Sequence, residues 1–201
     1  ALLGFQFAFE FQQSLSSRQG TGAVDPRGAP RQLALRTAEP ITLERAGTVW
    51  QMYPRAEYRL AARVLHSQAY EDWLAPFVPV DLALGWGEMS DPAVDRWVEW
   101  RQADRWYYYR WPADAPVSRE AISQASANVH VIPASDSLAV VLRQLERNDV
   151  VLLEGKLVDV EADRQGEKVR FQTSLTRLDT ADSSCEIFYV ERLVVKGEEF
   201  N

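Results

Sequence analysis

The sequence predicts an α+β, β-rich protein with two or three helices. Its C-terminal part is predicted to be a curved antiparallel sheet or an OB-like (oligonucleotide/oligosaccharide-binding-like) barrel. Short runs of β-branched and aromatic residues recur from residue 32 onward, separated by turn-forming Gly, Pro and Asp. Residues 126–197 read as strand, helix and then three strands, the first of which contains a glycine. This order suits a strongly bent sheet or a small barrel.

The chain of 201 residues divides by composition into three parts. Residues 1–15 are strongly apolar, residues 16–31 form a linker or long loop, and residues 32–197 form one α+β domain. An OB-like part is expected at 126–197. The apolar start fits a strand, an amphipathic segment, or the end of an export signal or membrane anchor upstream of Ala1, and we favour the last of these.

The first predicted strands are Ile41–Glu44 and Thr48–Tyr53, which are rich in β-branched and aromatic residues. Pro54 is expected to end the second one. Tyr58–His66 alternates apolar and basic residues and is predicted to be a strand, although its Ala, Arg and Leu content also permits a helix.

The prolines in Ala75–Asp81 exclude a regular helix there. Ser90-Asp91-Pro92 has the composition of a helix start, with a capping hydroxyl, an acidic first turn and an early proline. We expect this helix to continue to about Arg105. Trp106–Trp111 is then predicted to be an aromatic strand that Pro112 ends.

Two further helices are predicted, at 118–126 with Ser118 as its cap and at 138–147 with Ser135 in the preceding capping segment. Strand 128–133 lies between them. Strands 150–160, 168–176 and 185–195 follow, and Gly155 is expected to mark a bulge or bend in the first of these.

The net charge of the chain indicates which classes of partner it can bind. The net charge of −7 opposes binding to nucleic-acid backbones, because that affinity comes from Lys and Arg. The expected partner is therefore a protein, a peptide or a glycan. Two isolated histidines, one cysteine and no metal-binding or phosphate-loop motif predict neither a metal site nor a cofactor.

Six of the seven tryptophans fall within residues 73–111, together with several arginines. Aromatic rings and guanidinium groups can stack on sugars or peptides, and the same residues can equally form a core with structural arginine contacts. The candidate ligand-binding residues are Trp86, Trp106, Tyr108, Trp111, Arg105 and Arg110.

Two groups of residues offer catalytic alternatives. A cysteine nucleophile needs a nearby base, which makes Cys185 and His130 a candidate pair against the plainer interpretation of a buried, inert thiol. Asp81, Glu88 and Asp95 surround the Gly-Trp-Gly turn and offer carboxylates for glycoside hydrolysis. Acidic residues at a helix start also have an ordinary capping role.

The stretches PVDLALGWGEMSD (79–91), SANVHVIPAS (126–135) and SLTRLDTADSSCEIFYVERL (174–193) resemble a group of bacterial proteins of unknown function that often carry a hydrophobic N-terminal segment. The resemblance implies a periplasmic or membrane-anchored protein rather than a cytoplasmic one, and it implies no activity. The sequence favours a non-enzymatic binding or scaffold domain of the bacterial envelope. The alternative is a hydrolase acting on glycan or peptide, and an unpaired strand edge offers a surface for a homodimer.

Overall fold

The structure is a computed structural model that describes residues 23–176 and 185–201, together with the backbone of Arg18–Gln19. The predicted apolar segment 1–15 and part of the predicted linker 16–31 lie outside the described residues.

The described strands are β1 (Arg18–Gln19), β2 (Arg31–Ala34), β3 (Ile41–Arg45), β4 (Thr48–Ala69), β5 (Val80–Gly85), β6 (Glu99–Ala103), β7 (Trp106–Arg110), β8 (Ser126–Pro133), β9 (Val150–Arg164), β10 (Glu167–Phe171), β11 (Glu186–Val195) and β12 (Glu198–Phe200). The helices are a 3-10 helix at Gly87–Ser90, α1 (Pro92–Asp95), α2 (Arg119–Gln124) and α3 (Asp136–Arg143). This content confirms the predicted α+β, β-rich class with three α-helices.

Strand β4 is the longest element, with 22 residues. It pairs with β9 through residues 50–63 and with β5 through residues 63–69, and its register shifts near Pro54 and Val64. The prediction that Pro54 ends a strand is therefore wrong. The strand continues through the proline because a bulge accommodates it.

The ten-stranded sheet is large, curved and mixed, and as a whole it is not a closed barrel. Within it, five strands form a ring. They pair in the order β4, β5, β8, β11 and β9, and β9 pairs again with β4. The β8–β11 pair is parallel and the other pairs of this ring are antiparallel. A helix, α3, lies between the third and fourth of these strands in sequence, and two of the five strands precede residue 126.

The ring opens beside Cys185. Pairing of β9 with β11 ends at Leu157 and Phe188, short of the start of β11. Beyond that point Thr173 bridges the two strands: its backbone N–H donates to Asp159 at 3.0 Å, and its hydroxyl accepts from the backbone of Ile187 at 3.0 Å. A gap between two strands of the ring therefore lies next to the only cysteine of the chain.

Side chains of the ring alternate between two faces, as strand geometry requires. The inner face forms the main core, which includes Leu60, Leu82, Val129, Leu153 and Phe188. The outer face carries two smaller apolar clusters, one around Trp50 and Phe77 and the other around Met89 and Trp100. Polar residues of β5 and β8 that point outward lie buried beneath other elements rather than in solvent.

One of those covering elements is the β6–β7 hairpin, where a helix was expected. The predicted helix from residue 92 is wrong beyond α1, since residues 99–110 form a two-stranded sheet. Trp100 and Gln102 alternate with exposed residues, a β period that the sequence also carries. A two-residue turn at Asp104 and Arg105, both with positive φ, closes the hairpin.

Most other predicted elements of the domain agree with the structure, but the predicted strand 168–176 ends at Phe171. Ser118 and Ser135 cap α2 and α3 through their side-chain oxygens. Strands at 58–66, 106–111, 128–133, 150–160 and 185–195 are confirmed with shifted ends. Gly155 lies where β9 closely approaches β11, because a Cβ atom there would lie 2.0 Å from the backbone oxygen of Tyr189.

Among the helices of the described ranges, none has the length and apolar character needed to cross a membrane.

Candidate active site

The outer face of β5, β8 and β11 brings Asp81, His130 and Cys185 together. Asp81 pairs with His130 across β5 and β8, and His130 pairs with Ile187 across β8 and β11. Cys185 lies two residues before Ile187, so alternation places its side chain on the same face. Strands β5 and β8 and the residue just before β11 therefore supply a carboxylate, an imidazole and a thiol to one site.

His130 is the centre of this group. Its Nδ1 lies 2.9 Å from Oδ1 of Asp81, whose side chain is fully buried. Burial lowers the pKa of His130, but hydrogen bonds and charge interactions with Asp81 and Cys185 outweigh it and raise the pKa to about 10. Nδ1 is the nitrogen bound to Asp81, and the Cys185 thiol also interacts with this imidazole. The imidazole side chain keeps 20% of its surface exposed.

Asn128 completes the immediate surroundings of the thiol. It lies two residues before His130 on β8, and its Nδ2 is 3.6 Å from Cys185 Sγ. The same amide nitrogen donates to the backbone oxygen of Arg105 at 3.0 Å. Asn128 is completely buried, so its amide group is held rather than free to rotate in solvent.

A chain of hydrogen bonds fixes which way the Asn128 amide points. Gln102 Nε2 donates to Asn128 Oδ1 at 2.6 Å, and Gln102 Oε1 lies 2.9 Å from His66 Nδ1. Because the oxygen of Asn128 receives the Gln102 amide, its nitrogen must face Cys185 and Arg105. His66, a residue of β4, is thus connected to the donor beside Cys185 through two intervening amides.

Arg105 fastens the covering hairpin over the site. Its guanidinium donates to both carboxylate oxygens of Asp72, at 2.7 and 3.1 Å, and to the backbone oxygen of Val78 at 2.8 Å. It lies 3.4 Å from Asp81 and stacks over the ring of Tyr70 at 3.8 Å. Burial and the charge of Asp81 raise the pKa of Tyr70 to about 12. These contacts hold the positive-φ conformation of Arg105 in place.

A cavity of about 960 Å³ opens onto this group. Cys185, His130, Arg105 and Trp106 are among the residues that line it. Cys185 itself is 7% exposed, which is enough to reach the cavity wall while the residue stays mostly packed. A thiol, an imidazole and a space for substrate therefore meet at one place.

The structure separates the predicted ligand-binding residues. Arg105 and Trp106 line the cavity, but Trp86 lies in the main core with 4% of its surface exposed. Tyr108 is exposed on β7. Trp111 and Arg110 border a different cavity, and Arg110 pairs with both oxygens of Glu99 at the surface.

The structure brings one of the two predicted catalytic groups together and separates the other. The structure places Cys185 and His130 in one site and adds Asp81 to them. Asp95 instead accepts hydrogen bonds from Trp100 and Arg147, and Glu88 is exposed. Asp81, Glu88 and Asp95 thus have separate surroundings rather than shared ones.

Sequence reasoning missed the residues that support the thiol, namely His66, Tyr70, Asp72, Gln102 and Asn128. One signal was available. Asp81, Asn128 and His130 are polar residues inside otherwise apolar strands, where a polar residue needs a buried partner. Within the described parts of the chain, no group of three or more His, Cys, Asp and Glu residues is arranged to hold a metal ion.

No protein-family model matches this chain, and no curated protein or solved structure matches it. What can be inferred about function therefore comes from the site, since a fold alone does not define an activity.

Proposed function

We propose that this protein is a hydrolase of esters or amides in which Cys185 is the nucleophile, His130 the acid and base, and Asp81 the residue that orients His130. The observation that carries the proposal is that Cys185 and His130 line one cavity while the buried Asp81 holds His130 from behind. A nucleophile, a base and a group that orients the base form the minimal arrangement for acyl transfer through a covalent intermediate.

The chemistry follows from the arrangement. The thiolate of Cys185 attacks the substrate carbonyl carbon, so that a C–S bond forms and the bond to the leaving group breaks. The His130 imidazolium gives its Nε2 proton to the leaving amine or alkoxide. Neutral His130 then takes a proton from water, whose oxygen attacks the thioester. The acid is released, and the imidazolium and thiolate are restored.

Asn128 and Asp81 have supporting roles in this scheme. The Nδ2 of Asn128 donates toward the sulfur at rest, and it is positioned to donate to the carbonyl oxygen as negative charge develops on it. Asp81 keeps Nδ1 protonated, which leaves Nε2 to exchange protons with substrate and water. Asn128 Nδ2 lies 3.6 Å from the sulfur, within reach of a carbonyl oxygen bound there.

The test is hydrolysis of p-nitrophenyl acetate and p-nitrophenyl butyrate by the purified protein. We expect turnover that is abolished in Cys185→Ala and lowered about 10²–10⁴-fold in His130→Gln, the usual contribution of an acid–base residue. Asp81→Asn is expected to lower kcat more than it changes KM, since the wrong imidazole tautomer affects chemistry rather than binding.

The matched control is Asp95→Asn. Asp95 is also a buried carboxylate that accepts two side-chain hydrogen bonds, from Trp100 and Arg147, but it lies outside the site. Its substitution is expected to reduce stability and leave kcat of the folded protein unchanged. Equal activity in the wild type and Cys185→Ala would exclude the proposed hydrolase.

A second candidate function is non-enzymatic ligand binding, which the strand order favours. OB folds bind oligosaccharides and oligonucleotides on the face of their second and third strands, which correspond here to β5 and β8. His130 of β8 lies in the wall of the cavity, together with Trp106. Chitotetraose or cellotetraose is then expected to change tryptophan fluorescence in the wild type and in Cys185→Ala, but not in Trp106→Ala. No change in any of the three proteins excludes this candidate for those glycans.

A further inference from the structure

Building on the proposed hydrolase, we infer that its substrate is an acyl compound that carries a negatively charged group beside an apolar portion. The cavity beside Cys185 is lined mainly by two kinds of side chain, apolar ones and arginines.

One part of the cavity wall is apolar. It consists of side chains contributed by the 74–78 segment and by β9, β10 and β11, namely Leu74, Phe77, Val78, Val160, Phe171 and Ile187. Several of them belong to the apolar cluster around Trp50, so the wall is backed by a packed core. Such a surface accommodates an aliphatic or aromatic group, because burial of apolar area is favourable.

The remaining wall is rich in arginine. Arg55, Arg105 and Arg170 line the cavity, and Asp159 is the one carboxylate among its described lining residues. This excess of cations stands out in a protein with a net charge of −7. A guanidinium group binds carboxylate and phosphate groups through paired hydrogen bonds.

Acidic partners stabilise these arginines, and of those partners Asp159 is the one that lies in the cavity wall. Arg105 is paired with Asp72 and Arg170 with Glu161, and neither acid is a lining residue. Arg55 pairs with Asp159. A guanidinium has five N–H donors and a bidentate pair uses two of them, so donors remain for a ligand.

The strand positions separate the charged end from the reactive end. Arg55 and Arg170 belong to the β4 and β10 side of β9, whereas His130 belongs to β8 and Cys185 immediately precedes β11. The apolar side chains of Val160 and Ile187 lie in the same cavity wall. A substrate spanning the cavity therefore places its anionic group at the arginines and its carbonyl carbon at the thiol.

The experiment compares two reagents that alkylate the same atom, iodoacetate, which is anionic, and iodoacetamide, which is neutral. The chain has one cysteine, so all alkylation of protein thiol reports on Cys185. We expect the ratio of the iodoacetate rate to the iodoacetamide rate to be about tenfold higher in the folded protein than in the urea-unfolded protein, as expected for one or two nearby cations. In about 1 M NaCl, where the Debye length is about 3 Å, the ratio is expected to fall.

The variants are Arg55→Gln and Arg170→Gln, with Arg110→Gln as the matched control. Arg110 is an exposed, ion-paired arginine that is not a lining residue of this cavity. Each of the first two substitutions is expected to lower the ratio about threefold, and the control to leave it unchanged. A ratio in the folded protein equal to or below that of the unfolded chain overturns the inference.

Ester hydrolysis separates failure of this inference from failure of the proposed function. We expect the hydrolase to have a higher kcat/KM for the mono-p-nitrophenyl ester of glutaric acid than for p-nitrophenyl butyrate. Cys185-dependent hydrolysis of both esters without that preference keeps the hydrolase and overturns the anionic substrate. A high ratio of the iodoacetate rate to the iodoacetamide rate, with no hydrolysis of either ester, overturns the hydrolase. It also overturns the inference that the anionic ligand is an acyl substrate.

Discussion

Asp81 accepts a hydrogen bond from His130 at 2.9 Å, although 49 residues separate them in the chain. They are direct neighbours on β5 and β8, and both point to the outer face of the ring. Solvent reaches little of either residue because the β6–β7 hairpin and the 70–79 segment lie over that face. The pair is thus a product of tertiary structure, and it orients an imidazole toward the single thiol.

The first prediction concerns stability and pH. The folded-state pKa of His130 is about 10, above the ordinary value of 6.5, so ionised His130 stabilises the fold fully below pH 6.5. That contribution is lost as the pH rises through 10. In urea unfolding, we expect the free energy of unfolding of the wild type to lose about 2–5 kcal/mol more than that of His130→Gln between those two pH values.

Tyr70 does not produce this difference in pH dependence, because its pKa of about 12 lies above the range between pH 6.5 and pH 10. Asp81, Arg105 and Cys185 face His130 and remain present in both proteins, so the difference reports the imidazole together with its coupling to these groups. Parallel pH profiles for the wild type and His130→Gln contradict the prediction.

The second prediction concerns Gln102, the residue that orients the Asn128 amide. Gln102→Leu leaves Asn128 Oδ1 buried without its donor, which is expected to cost about 1–3 kcal/mol of stability. Gln102→Glu keeps an acceptor for His66 but presents an oxygen to Asn128, which forces the amide to rotate. Both variants are expected to lower the rate of ester hydrolysis. A Glu variant with wild-type kcat shows that amide orientation is irrelevant.

The third prediction tests the close approach of β9 and β11. Gly155→Ala places a methyl group against the backbone oxygen of Tyr189, and backbone cannot move aside as a flexible side chain can. We expect a loss of about 3 kcal/mol or more in the free energy of unfolding. Gly28→Ala is the control, because nothing lies within 4 Å of its added methyl group and its φ is ordinary. Equal stability of the two variants contradicts the described strand approach.

The fourth prediction concerns Arg105, which the sequence offered as a ligand-binding residue. Arg105→Lys removes the bidentate contact with Asp72 and the stacking on Tyr70. We expect a loss of about 1–3 kcal/mol and faster hydrogen exchange in residues 70–79, with little change at β3. Unchanged exchange in 70–79 indicates that Arg105 serves a ligand rather than the fold.

The sequence and the structure agree most closely where local pattern decides the outcome. Ser118 and Ser135 are recognisable as helix caps because capping depends on a few adjacent residues. The first strand of the hairpin, Glu99–Ala103, is predicted wrongly as helix because its residues fit a helical period as well as a strand period. Contact with the outer face of β4 and β5 selects the strand.

The site was only partly predictable for a related reason. Cys185 and His130 were identified by residue type, since the chain has one cysteine and two histidines. Asp81 was assigned to a carboxylate cluster around the Gly-Trp-Gly turn, because its true neighbour lies on another strand. Pairing register links Asp81, His130 and Ile187 across three strands, and no local pattern reveals that register.

The measurement that tests the central claim most directly is the intact mass of the protein after brief exposure to p-nitrophenyl acetate and acid quenching. The account predicts one acetyl group on the wild type, located on Cys185, and none on Cys185→Ala. His130→Gln is expected to acquire that group far more slowly. An unmodified wild-type protein, or the same acetylation in Cys185→Ala, would contradict a covalent mechanism at Cys185.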